Sequence, residues 1–246
     1  MKCRSKRLGP DGRRKAGIAG VSKMDMNNQK PQSGGWKENG EFINFMLDFQ
    51  HEIMHYESAA KCVTMRLEIA DTEFRTKVWR PLIHTISSRI KEPMSIYSKL
   101  VRKGCPVTVT SIRDNLDDVA GVRVICNYIE DVYAVRKLLL EDEYLDLVRE
   151  KDYIKTPKPN GYRSLHLIVN VPVLLKDGKQ KTRCEIQLRT SAMDSWASLE
   201  HNLRYKKDLK DSYKVDEELK CCAEMLYQSD LKMQKIAEQM AILTAV

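Results

Sequence analysis

The sequence predicts an α+β protein, a mixed sheet of about five strands with helices packed against it and long helices at both ends. Three observations lead there. Five stretches (83–91, 119–128, 145–153, 166–174 and 181–189) read as strands, all but 145–153 through a period-two alternation or an apolar run. Apolar residues recur at helical spacing in two long segments, one before the first strand and one after the last. The connections between strands alternate neither strictly through helices nor strictly through hairpins, so the sheet is mixed.

Taken in order, folded structure is expected from about Glu41. Phe42, Phe45, Met46, Phe49, Ile53, Val63, Leu67 and Ala70 make the apolar stripe of the first helix, which Pro81 terminates. In 83–91, Thr85, Ser87, Arg89 and Lys91 share one strand face, and Ile86 and Ile90 the other. Pro93 opens a helix that Gly104-Cys105-Pro106 stops. Asp117-Asp118 leads into a strand whose apolar run is interrupted by Arg123, and a helix over 130–140 follows. The proline- and glycine-bearing stretch 155–162 reads as a loop. Lys176-Asp177-Gly178-Lys179 is the turn of a hairpin. Helices over 192–203 and 215–244 complete the chain.

Composition narrows the function classes. Of 246 residues, 42% are hydrophobic and 31% charged, the balance of a chain with a buried core. No apolar run is long enough to span a membrane. Most of the net charge of +8 resides in residues 1–35, which hold nine Lys or Arg against two Asp. A basic pI therefore points to nucleic acid only through residues 1–40, which lack periodicity and read as a disordered tail or as sequence outside the natural start. This tail has no apolar core of a secretory signal. Seven cysteines form no CxxC pair, which fits free thiols in a reducing cytoplasm.

The stretch Lys181 to Thr190 alternates strictly: Thr182, Cys184, Ile186 and Leu188 on one face, Arg183, Glu185, Gln187 and Arg189 on the other. Such a polar face suits solvent as well as a site. Its companions decide its meaning. Arg89-Ile90-Lys91, Asp118-Val119-Ala120-Gly121-Val122-Arg123, Gly161-Tyr162-Arg163-Ser164-Leu165-His166, Glu185-Ile186-Gln187-Leu188-Arg189-Thr190 and Trp196-Ala197-Ser198-Leu199-Glu200-His201 follow one another in order. Together they resemble the synthetase domain of RelA/SpoT-type alarmone enzymes, in the stand-alone small alarmone synthetase form with its nucleotidyltransferase-like sheet. The likeness runs from about residue 42 to the end of the chain.

That resemblance implies a (p)ppGpp synthetase of the bacterial stringent response. It would move a pyrophosphate from ATP to the 3′-hydroxyl of GDP or GTP and release AMP. Such transfer rests on charge neutralisation and in-line positioning. Asp118 would hold Mg²⁺, and Glu185 would complete the metal site or accept the 3′-hydroxyl proton, at least one of the two. Asp118 reads equally as a cap at a strand junction. Arg89 and Arg123 would sandwich adenine. Lys91, Ser95, Lys99 and Arg102 would bind ATP, the last three sharing a helix face. Tyr162 would stack on guanine, presented outward by Gly161, or be a buried structural tyrosine. Lys158 and His166 would meet the acceptor's 5′-phosphates, His166 reading equally as a core histidine. Asp194 would read the guanine edge, and Gln187 would support that site. Two departures bear on regulation. His84-Thr85-Ile86-Ser87 lacks the aromatic residue of alarmone-activated members, and no His-Asp dipeptide of a hydrolase occurs. Synthesis without product activation and without hydrolysis is expected. The domains read as 1–40 tail, 41–205 synthetase and 206–246 a helix joining subunits, as in a homotetramer.

Two other readings compete. His51-Glu52-Ile53-Met54-His55 matches H-E-x-x-H, the zinc protease motif, with Glu68 or Glu73 as a third ligand. The basic tail with Tyr162 would suit an RNA-binding regulator.

Overall fold

A computed structural model describes residues 35–78, 80–176, 178–205 and 212–244. Its order is α1 (Gly35–Val78), β1 (Ile83–Ile90), α2 (Pro93–Arg102), α3 (Val109–Asn115), β2 (Ala120–Cys126), α4 (Ile129–Glu141), β3 (Asp146–Asp152), β4 (Leu165–Leu175), β5 (Gly178–Thr190), α5 (Ser191–Tyr205) and α6 (Ser212–Thr244). The five strands form one sheet in the order β1-β2-β5-β4-β3. β2 and β5 run parallel and the remaining neighbours antiparallel, so the sheet is mixed as expected.

The alternation in the sequence becomes the two faces of this sheet. On one, Val122 and Val124 of β2, Ile186 and Leu188 of β5 and Leu165 and Leu167 of β4 are all buried. They pack against Phe49, Val63 and Leu67 of α1 and Val132 and Val135 of α4 in a single core. Each fully buried aliphatic or aromatic side chain there contributes roughly 1.5–3 kcal/mol. The other face carries the polar row and stays partly open. β3 is an edge strand, largely exposed and bearing Arg149, Glu150 and Lys151, which discourage a further strand from adding. Pro172 sits inside β4 without breaking the ladder, because β3 pairs only as far as Asn170.

Two expectations change and a third is extended. α1 begins at Gly35, within the segment read as a tail; residues 1–34 lie outside the described residues. α3 was not expected, since Val109 and Thr110 are weak helix formers; the Thr108 hydroxyl accepts from Ser111 N at 3.1 Å and caps it. α6, read as a helix joining subunits, also packs on its own chain: Leu219 and Ala223 are buried with Trp196 of α5, whose indole N–H donates to the Leu219 carbonyl at 2.8 Å. The exposed apolar residues of α6 are Met225, Met233, Ile236 and Met240. Among the described residues no helix is long and apolar enough to cross a membrane.

Candidate active site

Strand pairing gathers the polar residues into one row. Arg89 of β1 faces Gly121 of β2, which faces Glu185 of β5; Arg123 is flanked by Ser87 and Gln187; and His166 of β4 faces Gln187. A cleft of about 180 Å³, open to solvent at its mouth, is lined by Arg89, Asp118, Gly121, Arg123, Glu185 and Gln187. Gly121 creates it by omission. A Cβ there would meet Arg89 Cγ at 3.8 Å, so anything larger would grow into the space between the two arginines.

Asp117 and Asp118 part company at the start of β2. Asp117 turns to Arg183, at 2.8 Å, and to Arg149. Asp118 turns into the cleft, where Oδ2 accepts from Lys91 Nζ at 2.8 Å and Lys99 Nζ at 2.7 Å. Its Oδ1 is buried without a hydrogen-bond partner. Burial pushes the Asp118 carboxyl up, but the hydrogen bonds and charges of the two lysines outweigh it and hold it below the ordinary carboxylate range. Glu185 is also held low: hydrogen bonds from His166 and Gln187 outweigh its burial, while the Asp118 charge pulls the other way. Two ionised carboxylates thus share one cleft, and one of them keeps a buried oxygen uncommitted. Among the described residues no group of three or more acidic, histidine or cysteine side chains is placed to hold a metal ion together. That donor set fits Mg²⁺, which takes one or two carboxylates and fills its shell with phosphate oxygens and water.

Around Glu185 the hydrogen bonds have determined directions. Arginine can only donate, so the Arg189 Nη2–H goes to the Tyr162 hydroxyl oxygen at 2.6 Å. The phenolic proton is then free to go to His166 Nε2, 2.9 Å away. His166 Nδ1–H donates in turn to Glu185 Oε1 at 3.1 Å, since a carboxylate only accepts. Gln187 donates to Glu185 Oε2 at 2.7 Å and accepts from Arg189 Nη2 at 2.9 Å. Both oxygens of Glu185 are therefore oriented from below.

The sequence-predicted residues fall into place unevenly. Asp118, Glu185, Arg89 and Arg123 line the cleft, Lys91 and Lys99 reach it through Asp118, and Gln187, read as support for the guanine site, donates to Glu185. Ser95 and Arg102 are exposed on α2 and, among the described residues, pair with no side chain of the cleft. His166 is 9% exposed and both its ring nitrogens are engaged inside the protein, so it matches the core-histidine reading rather than a phosphate contact. Tyr162 is only partly presented outward. Gly161 does adopt the left-handed conformation (φ 91°), but it is packed where a Cβ would come within 2.7 Å of Ala223 on α6. The Tyr162 ring is half-buried among Tyr153, His166 and Trp196, with Lys158 Nζ 4.6 Å from its centroid. Burial raises the Tyr162 phenol, against the charge of Arg189.

Sequence reading missed Arg189. It is 4% exposed and donates to Asp194 (3.0 Å), Tyr162, Gln187 and Ser164. The signal was present in the strict alternation, which puts Arg189 on the Glu185 face.

The zinc reading fails on its central residue. Glu52 is buried and clasped by Arg113 of α3, at 2.5 and 2.6 Å, with Gln180 at 3.3 Å. A carboxylate so occupied ties α1 to α3 and β5 and cannot serve as a base. The His51 side chain lies outside the described residues, as do residues 1–34 of the tail on which, with Tyr162, the RNA reading rested.

Comparison with solved structures gives the class. The small alarmone synthetase 2 of Bacillus subtilis superposes with a TM-score of 0.70 at 41% identity, covering 78% of this chain and 99% of that one. The small alarmone synthetase 1 of the same organism, bound to its product pppGpp, gives 0.71 at 30% identity, covering 78% and 97%. The fold is that of the small alarmone synthetases. By sequence, residues 88–210 match the region found in RelA/SpoT proteins. The GTP pyrophosphokinase YwaC of Bacillus subtilis (strain 168) is 42% identical over 195 residues, 79% of this chain and 92% of the relative. The chain belongs to the RelA/SpoT family.

Proposed function

We infer that this chain is a GTP pyrophosphokinase that makes (p)ppGpp from ATP and GDP or GTP, releasing AMP. The observation that carries the reading is the pair of ionised carboxylates, Asp118 and Glu185, flanking one cleft between two arginine-bearing strands. Asp118 through its uncommitted Oδ1, with Glu185, would hold Mg²⁺. The bound ion supplies charge neutralisation at the transferred phosphates. Arg89 and Arg123 take the adenine between their guanidinium planes, and Lys91, Ser95, Lys99 and Arg102 bind the ATP phosphates. Tyr162, Lys158, Gln187 and Asp194 form the acceptor side, where Tyr162 stacks on guanine and Asp194 accepts from its edge. His166 acts there by holding Glu185 rather than by touching phosphate. The acceptor's 3′-oxygen attacks the β-phosphorus of ATP, the bond to the α-phosphate oxygen breaks, AMP leaves, and the hydroxyl proton passes to Glu185. A cytoplasmic location and a homotetramer joined through the exposed methionines of α6 complete the reading.

The test is direct. Labelled ATP is incubated with GDP, GTP or GMP and Mg²⁺, and the products are resolved. AMP and a 3′-pyrophosphorylated guanine nucleotide are expected, lost on chelation and restored by Mg²⁺. Glu185→Gln should lower the rate about 1,000-fold without unfolding the chain. Unchanged turnover in that variant would remove Glu185 from the chemistry.

A further inference from the structure

The donor and acceptor base pockets of this reading meet at one atom. Asp194 Oδ1 lies 3.3 Å from Arg123 Nη1 and 3.0 Å from Arg189 Nη1. Arg123 stands on β2, on the ATP side; Arg189 stands at the end of β5, behind Tyr162; Asp194 stands in the first turn of α5 between them.

The two cations are not equivalent. Arg189 is enclosed and spends its donors on four groups, so it cannot leave Asp194 without stranding them. Arg123 is 35% exposed at its side chain, its Nε is buried without a hydrogen-bond partner, and its contact with Asp194 is the longer. Of the pair, Arg123 is the one that can be drawn away.

We propose that Asp194 couples the two nucleotide sites, exchanging the Arg123 guanidinium for the guanine edge when adenine recruits Arg123. The proposal rests on the functional reading above. An oxygen shared by two guanidinium groups has its acceptor capacity committed. When adenine stacks on Arg123, one donor leaves, and the carboxylate accepts from N1–H and N2–H of guanine. Linkage makes the effect mutual: guanine on Asp194 releases Arg123 to close on adenine. An adenine base in the acceptor pocket gains nothing from this, because its N1 is itself an acceptor facing the carboxylate. Acceptor selection is therefore sharpest when ATP is already bound.

Calorimetry on the full chain tests it. GDP is titrated in the presence of Mg²⁺, with and without a saturating ATP analogue carrying a methylene between the α- and β-phosphorus. In the native protein the analogue should tighten GDP about 10-fold, equivalent to about 1.4 kcal/mol. In Asp194→Asn, which keeps the size and one acceptor but removes the charge, tightening should fall to about 2-fold or less while the analogue still binds. Arg123→Lys provides a second reading, since an ammonium stays on Asp194 and adenine has no planar cation to recruit; tightening should be lost there too. Native-like tightening in either variant, or none in the native protein, overturns the coupling. If the native chain binds neither nucleotide, the functional reading fails first and the coupling with it.

Discussion

On the β1–β2 side of the cleft, Arg89 is exposed, Arg123 is held by one long ion pair, and Ser95 and Arg102 face solvent along α2. On the β4–β5 side, Arg189, Tyr162, His166, Gln187 and Glu185 are joined into a continuous hydrogen-bonded network roofed by α5 and the 155–162 loop. The first side is a set of long cations with freedom to move; the second is fixed before any ligand arrives. The difference follows from their substrates' needs. A flexible triphosphate is gathered by charge, which tolerates imprecise placement. The oxygen that attacks must be placed within a few tenths of an ångström, and only a rigid, fully satisfied network does that. The fixed side should therefore respond sharply to conservative changes that the loose side absorbs.

Arg189→Lys breaks the comparison most severely. Lysine keeps one positive charge but cannot span Asp194, Tyr162, Gln187 and Ser164 at once. Initial-rate kinetics should show KM for GDP rising about 30-fold, consistent with about 2 kcal/mol for partners left unpaired, with KM for ATP within about 3-fold of native. An equal rise for ATP would mean that Arg189 holds up the whole sheet face rather than the acceptor half.

Gly121→Val probes the loose side. The first carbon of the new side chain would make only ordinary contact with Arg89, and β-branched residues suit a strand, so the melting temperature should hold or rise slightly. The methyl groups, however, occupy the cleft between Arg89 and Arg123. KM for ATP should rise about 10-fold, with GDP affinity in the absence of ATP changed less than about 2-fold. Loss of both affinities alike would show that the two halves are not separable.

Legibility in the sequence divides along the same line. The strands were readable because their burial alternates on a sheet with one dry face: Thr182, Cys184, Ile186 and Leu188 are all buried, as their spacing requires. Asp118, Glu185 and the two cleft arginines were readable because five short motifs stand in order and each projects from a predictable strand position. Arg189 was not. Strand periodicity places its side chain on the polar face, yet what buries it comes from α5 and from a loop 27 residues away, a tertiary fact with no local signature. Which of the two readings of His166 holds was hidden for the same reason. Its strand position was right, but which partners absorb its two nitrogens depends on Tyr162 folding back over β4. The apolar stripe of α6 was seen, but periodicity could not tell a stripe that packs on α5 from one that awaits another chain.

The smallest expected effect compares the two carboxylates. Both are held below the ordinary range, so the stability each contributes is complete above the unfolded carboxylate value, near pH 4, and is lost as pH falls through the lower folded value. The means differ. Asp118 is held by two ammonium groups that are 23–25% exposed. Glu185 is held by the hydrogen bond and electrostatic pull of a histidine and the hydrogen bond of an amide beneath the cleft, at a pair only 11–17% exposed. Salt screens the first more than the second. Asp118→Asn should cost about 1 kcal/mol at pH 7 and low ionic strength, a deficit that shrinks in 0.5 M salt, about 4 Å of screening length, and fades as pH falls from about 4 through the lower folded value. The change produced by Glu185→Gln should follow the same pH course while remaining nearly independent of salt. Thermal melts from pH 3 to 7 at two ionic strengths read both. Equal salt responses would show that the acceptor side, too, is held by charge, and the contrast between a loose and a fixed half would then rest on Arg189 alone.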